Sequence, residues 1–133
     1  MFDEPTKERQ AFSLIRRARS FKHAFRGVIV MLRTQHNVWI HLLAAVVTVF
    51  LGFYLHVSEG EWLALVFAIG LVIVSEAWNT ALEFDIDLTS PDYHPYARDT
   101  KDVAAAGVLI SAVIAVVIGL IIFVPKIFPH IYF

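Results

Sequence analysis

Apolar residues fall along this chain in two kinds of stretch. From Ala11 to Arg33 they recur with helical spacing. Leu14, Ala18, Phe21, Phe25, Val28 and Leu32 form one stripe, with Arg16, Arg19, Lys22, His23, Arg26 and Arg33 largely off it. This predicts a basic amphipathic helix over 11–35, lying in a membrane interface with its cations toward anionic headgroups, or packing the same stripe on neighbouring helices. The other three stretches are nearly continuous, at about 38–55, 62–88 and 103–124, each long enough to cross a bilayer. The first runs from near Trp39 to near Tyr54, residues suited to the interface. The second follows a loop, 56–61, in which Ser58 and Glu61 have capping-box spacing. Thr89-Ser90-Pro91 and Pro95 break the pattern, and Asp99 or Thr100 is the expected cap of the third spanning helix. From Val103 to Val124 the chain has 22 residues without a charge, about 33 Å of helix. Gly107, Ser111, Ala115 and Gly119 recur every fourth residue there, a stripe that lets helix backbones approach closely in lipid. Pro125 and Pro129 are expected to end this helix. The fold class is thus all-α: three transmembrane helices and a surface helix in one membrane domain, 1–133, with residues 1–10 as a polar tail.

One spanning segment departs from the apolar pattern. Glu76, Asn79, Thr80 and Glu83 stand at i, i+3, i+4 and i+7, on one face of a helix that has already entered the membrane. A carboxylate at the bilayer centre costs on the order of 2.5–3.5 kcal/mol on insertion scales, so such groups face a bundle interior or a water-filled cavity and mark a functional site. The alternative is headgroup depth, where they are simply solvated.

Composition and charge narrow the picture. The chain is 58% hydrophobic with a mean hydropathy of +0.65, too apolar for a soluble domain of 133 residues. It has no cysteine, which excludes disulfides and thiolate metal sites. No short apolar core with a small-residue cleavage site marks a cleavable signal. Lys7, Arg9, Arg16, Arg17, Arg19, Lys22, Arg26 and Arg33 all precede the first continuous apolar run, eight of the 11 basic residues. By the positive-inside rule the N-terminal region and the 89–102 linker are cytoplasmic, and the 56–61 loop and the C-terminus are outside. Glu83, Lys101 and Asp102 then share the cytoplasmic side, where nucleoside triphosphates are. Carboxylates and an amide on one face suit proton transfer and a hard cation, and Lys101 suits phosphate as a point charge. No GxxxxGK[ST] or GxGxxG loop is present. The residues alone leave three readings open: phosphoryl transfer, a proton or cation path, and an assembly interface in which Asn79 and Thr80 bond across helices.

Specific motifs favour the first reading. Phe21-Lys22-His23-Ala24-Phe25-Arg26-Gly27, Ile40-His41-Leu42-Leu43-Ala44-Ala45, the stretch from Glu76 to Glu83, and Tyr93-His94 followed by Lys101-Asp102 resemble the prokaryotic diacylglycerol kinase family, which includes the undecaprenol kinases of Gram-positive bacteria. The resemblance covers about Arg16 to Phe123. It implies a homotrimer of three-span subunits in the bacterial cytoplasmic membrane, with active sites shared between neighbours. It also implies transfer of the ATP γ-phosphoryl group to a lipid hydroxyl with Mg2+ as cofactor, and no nucleic-acid partner. Carried over by position, Glu76 is the general base, Asn79 orients the site and Glu83 is a magnesium ligand. Arg16, His23, Gln35, Glu83, Asp92, Tyr93, His94, Lys101 and Asp102 contact nucleotide. Diacylglycerol is the expected acceptor and undecaprenol the alternative, with a small non-enzymatic proton or cation conduit as the remote reading.

Two positions depart from the family pattern. Gln35 stands where a second metal-binding glutamate is common, and an amide oxygen there ligates magnesium with less charge neutralisation. His23 stands where tyrosine is frequent. Of the remaining residues, His36, His56 and His130 read as interfacial or exposed, and His41 as structural or lipid-facing. Trp39, Trp62 and Tyr54 read as interface anchors, and Trp78 as facing lipid or a neighbouring subunit.

Overall fold

The computed structural model describes residues 14–129, with side chains from Arg17 onward. The expectations for 1–13, for the Arg16 side chain and for His130 fall outside them. The described chain is four helices: α1 (Leu14–Thr34), α2 (His36–Tyr54), α3 (Glu59–Thr89) and α4 (Pro95–Ile127). The last three are long and apolar enough to cross a membrane. At 31 and 33 residues, α3 and α4 are roughly 46 and 50 Å long, well beyond a hydrocarbon core of about 30 Å.

Each boundary has a local cause. A single extended residue, Gln35, separates α1 from α2. The α2 C-terminus closes by a Schellman arrangement: His56 N–H donates to the Phe53 carbonyl (3.3 Å) and Val57 N–H to the Gly52 carbonyl (3.1 Å), with His56 at φ 50°. Val57 follows into the core. The capping box forms, with Ser58 N–H on Glu61 Oε2 (2.6 Å) and Glu61 N–H on Ser58 Oγ (3.4 Å). Both ends of this turn therefore satisfy their own backbone groups.

Two prolines act differently from expectation. Pro95 opens α4 rather than breaking it: at the first helical position its missing N–H is needed by no partner and its φ is already helical. His94, in place of Asp99 or Thr100, caps the helix, its Nδ1 accepting from Tyr96 N–H at 3.2 Å. Most of the expected linker is thus helix. Pro125 lies within the last turn of α4, where its cost is one hydrogen bond, and the helix runs on to Ile127.

The main packing is α3 along α4. Leu65, Ala68, Val72, Val108, Ile122 and Phe123 are buried between the elements, and Val38 of α2 is fully enclosed. Midway, Ser75 Oγ and Ser111 Oγ lie 2.7 Å apart, and they bond the Leu71 and Gly107 carbonyls of their own helices at 2.8 Å. Of the expected small-residue stripe, Ser111 alone is buried; Gly107 is exposed with open space around it. Close approach occurs instead at Gly52, where a Cβ would come within 2.6 Å of the Trp62 ring, itself 4.8 Å from the Phe53 ring centre. Trp62 is therefore the wedge of the α2–α3 hairpin. Lys126 of α4 pairs with Glu61 at 3.1 Å and closes this end. Phe50, Phe67, Trp78 and Leu120 are among many large apolar side chains left exposed, the surface that lipid or further copies of the chain would cover.

Candidate active site

The polar face of α3 forms as its spacing predicts, with one exception. Glu76 is 1% exposed, and Asn79 and Thr80 are also buried. Thr80 Oγ1 donates to the Glu76 carbonyl at 2.8 Å, so its hydroxyl serves the helix backbone. Asn79 Nδ2 donates to Glu83 Oε1 at 3.0 Å. From the α1–α2 break, Gln35 Nε2 donates to Glu83 Oε2 at 2.5 Å. Both oxygens of Glu83 are thus held by neutral amides, and among the described residues it forms no ion pair. Glu76 Oε1 and Asn79 Oδ1 are buried with no hydrogen-bond partner. Buried polar atoms in folded proteins nearly always have a partner, so this pair points to a site completed by something else.

A cleft of about 240 Å³ opens beside them, lined by Glu76, Asn79, Asn37 and His41, with Ala105, Val108, Leu109 and Ala112 of α4 as its apolar wall. A carboxylate beside an apolar cleft has the chemistry to meet a hydroxyl carried on a hydrocarbon chain. On the other side of α3 a groove of about 520 Å³ runs under α1, and His23 and Arg26 face Thr80, Ala81 and Phe84 across it.

The remaining candidates gather beyond the C-terminal end of α3. Asp92, Tyr93, His94, Lys101 and Asp102 line a hollow of about 280 Å³ together with Asp87 and Arg98. Lys101 pairs with Asp87, and Arg98 with Asp102 at 3.6 Å. His94 already uses Nδ1 to cap α4. The structure therefore brings Gln35, Asn79 and Glu83 together next to Glu76, collects five other candidates in the hollow, and leaves His23 in the groove. Within one chain these places remain separate.

Among the described residues no three His, Asp or Glu side chains converge on a metal position. One carboxylate with an amide alongside is still a hard-oxygen set of the kind magnesium accepts, since that ion keeps waters and takes phosphate oxygens. Glu83, with its charge uncompensated and Gln35 against it, fits that role.

Three contributors were not singled out from sequence. His41 and Asn37 line the cleft from α2, His41 within the apolar run and Asn37 just ahead of it. Asp87 continues the i, i+4 series from Glu83 and stands 14 residues before Lys101, a signal available in the residue order.

Comparisons with known proteins show the family. The model of a family described as prokaryotic diacylglycerol kinase matches residues 22–123. The chain is 41% identical over 108 residues to the undecaprenol kinase of Bacillus subtilis (strain 168), spanning 81% of this chain and 88% of that protein. It is 38% identical over 101 residues to a diacylglycerol kinase of a Synechocystis species, spanning 75% of this chain and 58% of that protein. A diacylglycerol kinase of Helicobacter pylori is 28% identical over 109 residues, 77% of this chain and 85% of that protein.

Proposed function

This chain belongs to the prokaryotic diacylglycerol kinase family, and from that premise we propose that it transfers the γ-phosphoryl group of ATP to the hydroxyl of undecaprenol. Membership makes it a phosphotransferase with an alcohol acceptor. The observation that carries the reading is Glu76, enclosed at 1% exposure with an unpartnered oxygen at an apolar cleft. The choice of acceptor rests on the undecaprenol kinase of Bacillus subtilis, matched at 41% identity over 88% of its length. Diacylglycerol, the acceptor expected first from the sequence, is the second reading; the Synechocystis diacylglycerol kinase at 38% identity favours it.

In the proposed reaction the lipid hydroxyl enters the cleft and gives its proton to the Glu76 carboxylate. Its oxygen attacks the γ-phosphorus in line, and the bridging oxygen leaves with ADP. Little covalent chemistry falls to the protein, so positioning and electrostatics carry the rate. Asn79 holds Glu83 in orientation through its amide. Lys101, released from Asp87, meets the phosphates as a point charge, and Asp92, Tyr93, His94 and Asp102 surround the nucleotide. His23 of α1 and, on the family resemblance alone, Arg16 are the remaining nucleotide contacts of the proposal. Glu83, with Gln35 beside it, would hold magnesium, which would supply charge neutralisation for the phosphates.

The separate cleft, groove and hollow within one chain support a homotrimer in which a neighbour completes each site. The clustering of basic residues before α2 supports an N-terminus on the cytoplasmic side of a bacterial cytoplasmic membrane and a C-terminus outside. The decisive experiment is phosphate transfer from labelled ATP in mixed micelles, with undecaprenol and diacylglycerol offered separately and in competition. Preference for undecaprenol supports the proposal. Preference for diacylglycerol replaces the acceptor, and transfer to neither at any magnesium concentration overturns the kinase reading.

A further inference from the structure

Helix α1 is fastened to the rest of the chain near its C-terminal end. Met31 is buried, Trp39 Nε1 donates to the Leu32 carbonyl at 3.0 Å, and Gln35 reaches Glu83. Toward His23 the helix and α3 are parted by the groove of about 520 Å³, more than twice the 240 Å³ of the cleft at Glu76. The α3 wall of this groove is apolar. Ala77, Ala81 and Phe84 line it at i, i+4 and i+7, and the Thr80 hydroxyl is turned to its own backbone. The α1 wall carries the charge. His23 and Arg26 line it, and among the described residues Arg26 forms no ion pair. No carboxylate lines the groove on either side. Gly27 adds a second, independent feature. A glycine inside a helix costs stability and serves where a backbone is closely approached, yet a Cβ at Gly27 would meet nothing of this chain within 4 Å.

A ligand matched to both walls brings an anion for one and hydrocarbon for the other. A nucleotide leaves the apolar wall unmatched, and a neutral lipid leaves the cations so. Zwitterionic phospholipids bring an ammonium, for which the groove holds no carboxylate. We infer that the groove binds an anionic phospholipid of the surrounding membrane, with its phosphate on the Arg26 guanidinium and an acyl chain against Ala77, Ala81 and Phe84. Guanidinium offers phosphate two parallel N–H donors, so the contact orients the headgroup as well as attracting it. The bound lipid bridges α1 and α3 where the chain itself leaves them apart. This place lies across α3 from the cleft at Glu76 and takes no part in the proposed reaction. It stands whether undecaprenol or diacylglycerol is the acceptor.

The test is native mass spectrometry of the full-length protein, released from detergent micelles that contain phosphatidylglycerol or phosphatidylcholine with the same acyl chains. The unaltered protein is expected to hold phosphatidylglycerol about tenfold more tightly, and R26Q should lose most of that preference. G27L fills the groove and leaves every charge in place; it should weaken retention of phosphatidylglycerol about fivefold or more. R33Q removes a cation that does not line the groove and should leave retention within about twofold. Equal losses in R26Q and R33Q overturn the inference, because they mark the diffuse pull of a basic helix. Undiminished retention in G27L overturns it as well, since the lipid then lies elsewhere. Displacement of the lipid by ATP or inorganic phosphate makes the rim a site for soluble anions and has the same effect. So does the absence of any preference in the unaltered protein, the outcome expected if a second copy of the chain covers the groove. Binding is read without turnover, so the kinase reading can fail while this inference holds, and the reverse.

Discussion

Gln35 reaches across 48 positions of sequence to donate a 2.5 Å hydrogen bond to Glu83, tying the break between α1 and α2 to the polar face of α3. Where a second carboxylate would repel Glu83 until a cation arrived, the amide holds it in place beforehand. In the proposed site this arrangement would trade charge toward a metal for order in its absence. Q35E is accordingly expected to lower thermal stability without magnesium and to regain it with magnesium. The magnesium needed for half-maximal rate should fall about tenfold if the added carboxylate gains ~1.4 kcal/mol on the cation. A magnesium titration that superimposes on the original would refute this.

Replacing the proposed base should separate chemistry from folding. E76Q preserves the shape of the side chain and is expected to lose about 10²–10⁴-fold in turnover, the range associated with a general base. Its circular dichroism and its size in detergent should be unchanged. Activity within a few-fold of the original would remove Glu76 from the mechanism.

Glu83 is expected to act on magnesium more than on the lipid. E83Q should raise the magnesium requirement sharply while leaving the apparent KM for the lipid acceptor near its original value. A change confined to the lipid KM would contradict the assignment.

The Lys101–Asp87 pair sits in the open, its side chains 37% and 65% exposed. Exposed ion pairs are worth little, so D87N should alter stability by less than about 1 kcal/mol. It should nonetheless lower the KM for ATP, because the ammonium no longer has to leave a carboxylate to meet phosphate. K101M should raise that KM at least tenfold. If D87N weakens ATP binding instead, Asp87 contacts the nucleotide rather than holding the lysine.

Gly52 has no room for a side chain against Trp62. G52A is expected to destabilise the α2–α3 hairpin by about 1–3 kcal/mol, the usual cost of overpacking, and W62F should recover part of it by removing the distal ring. Thermal unfolding of the single and double variants measures both effects. Equal stability of G52A and the original chain would show that the indole moves aside freely.

Much of this molecule is legible in residue order because the local signals are strong. The capping box at Ser58 and Glu61 and the face carrying Glu76, Asn79 and Glu83 each depend on fixed helical spacing, and both form as read. The misread places are those where position within an element decides the outcome. Pro95 looks like a breaker until it is seen to occupy the first turn. Pro125 falls within the last turn, with only Lys126 and Ile127 of the helix after it. Gly107 belongs to a regular stripe, but no neighbouring side chain comes up against it. His41 shows a further limit: in a largely apolar helix it reads as inert, and the structure sets it on the wall of the cleft that Glu76 also lines. Thr80 is the converse, a polar residue in the right register whose hydroxyl is absorbed by the backbone.

The length of α3 carries a last consequence. Eleven residues separate Glu76 from Asp87, roughly 16 Å along the axis. One rigid rod thus spaces an apolar-walled cleft from a hollow rich in ionic groups. In the proposed reaction an oil-soluble alcohol and a water-soluble nucleotide each stay in their own solvent, and α3 is the ruler that sets how far the two must reach to touch.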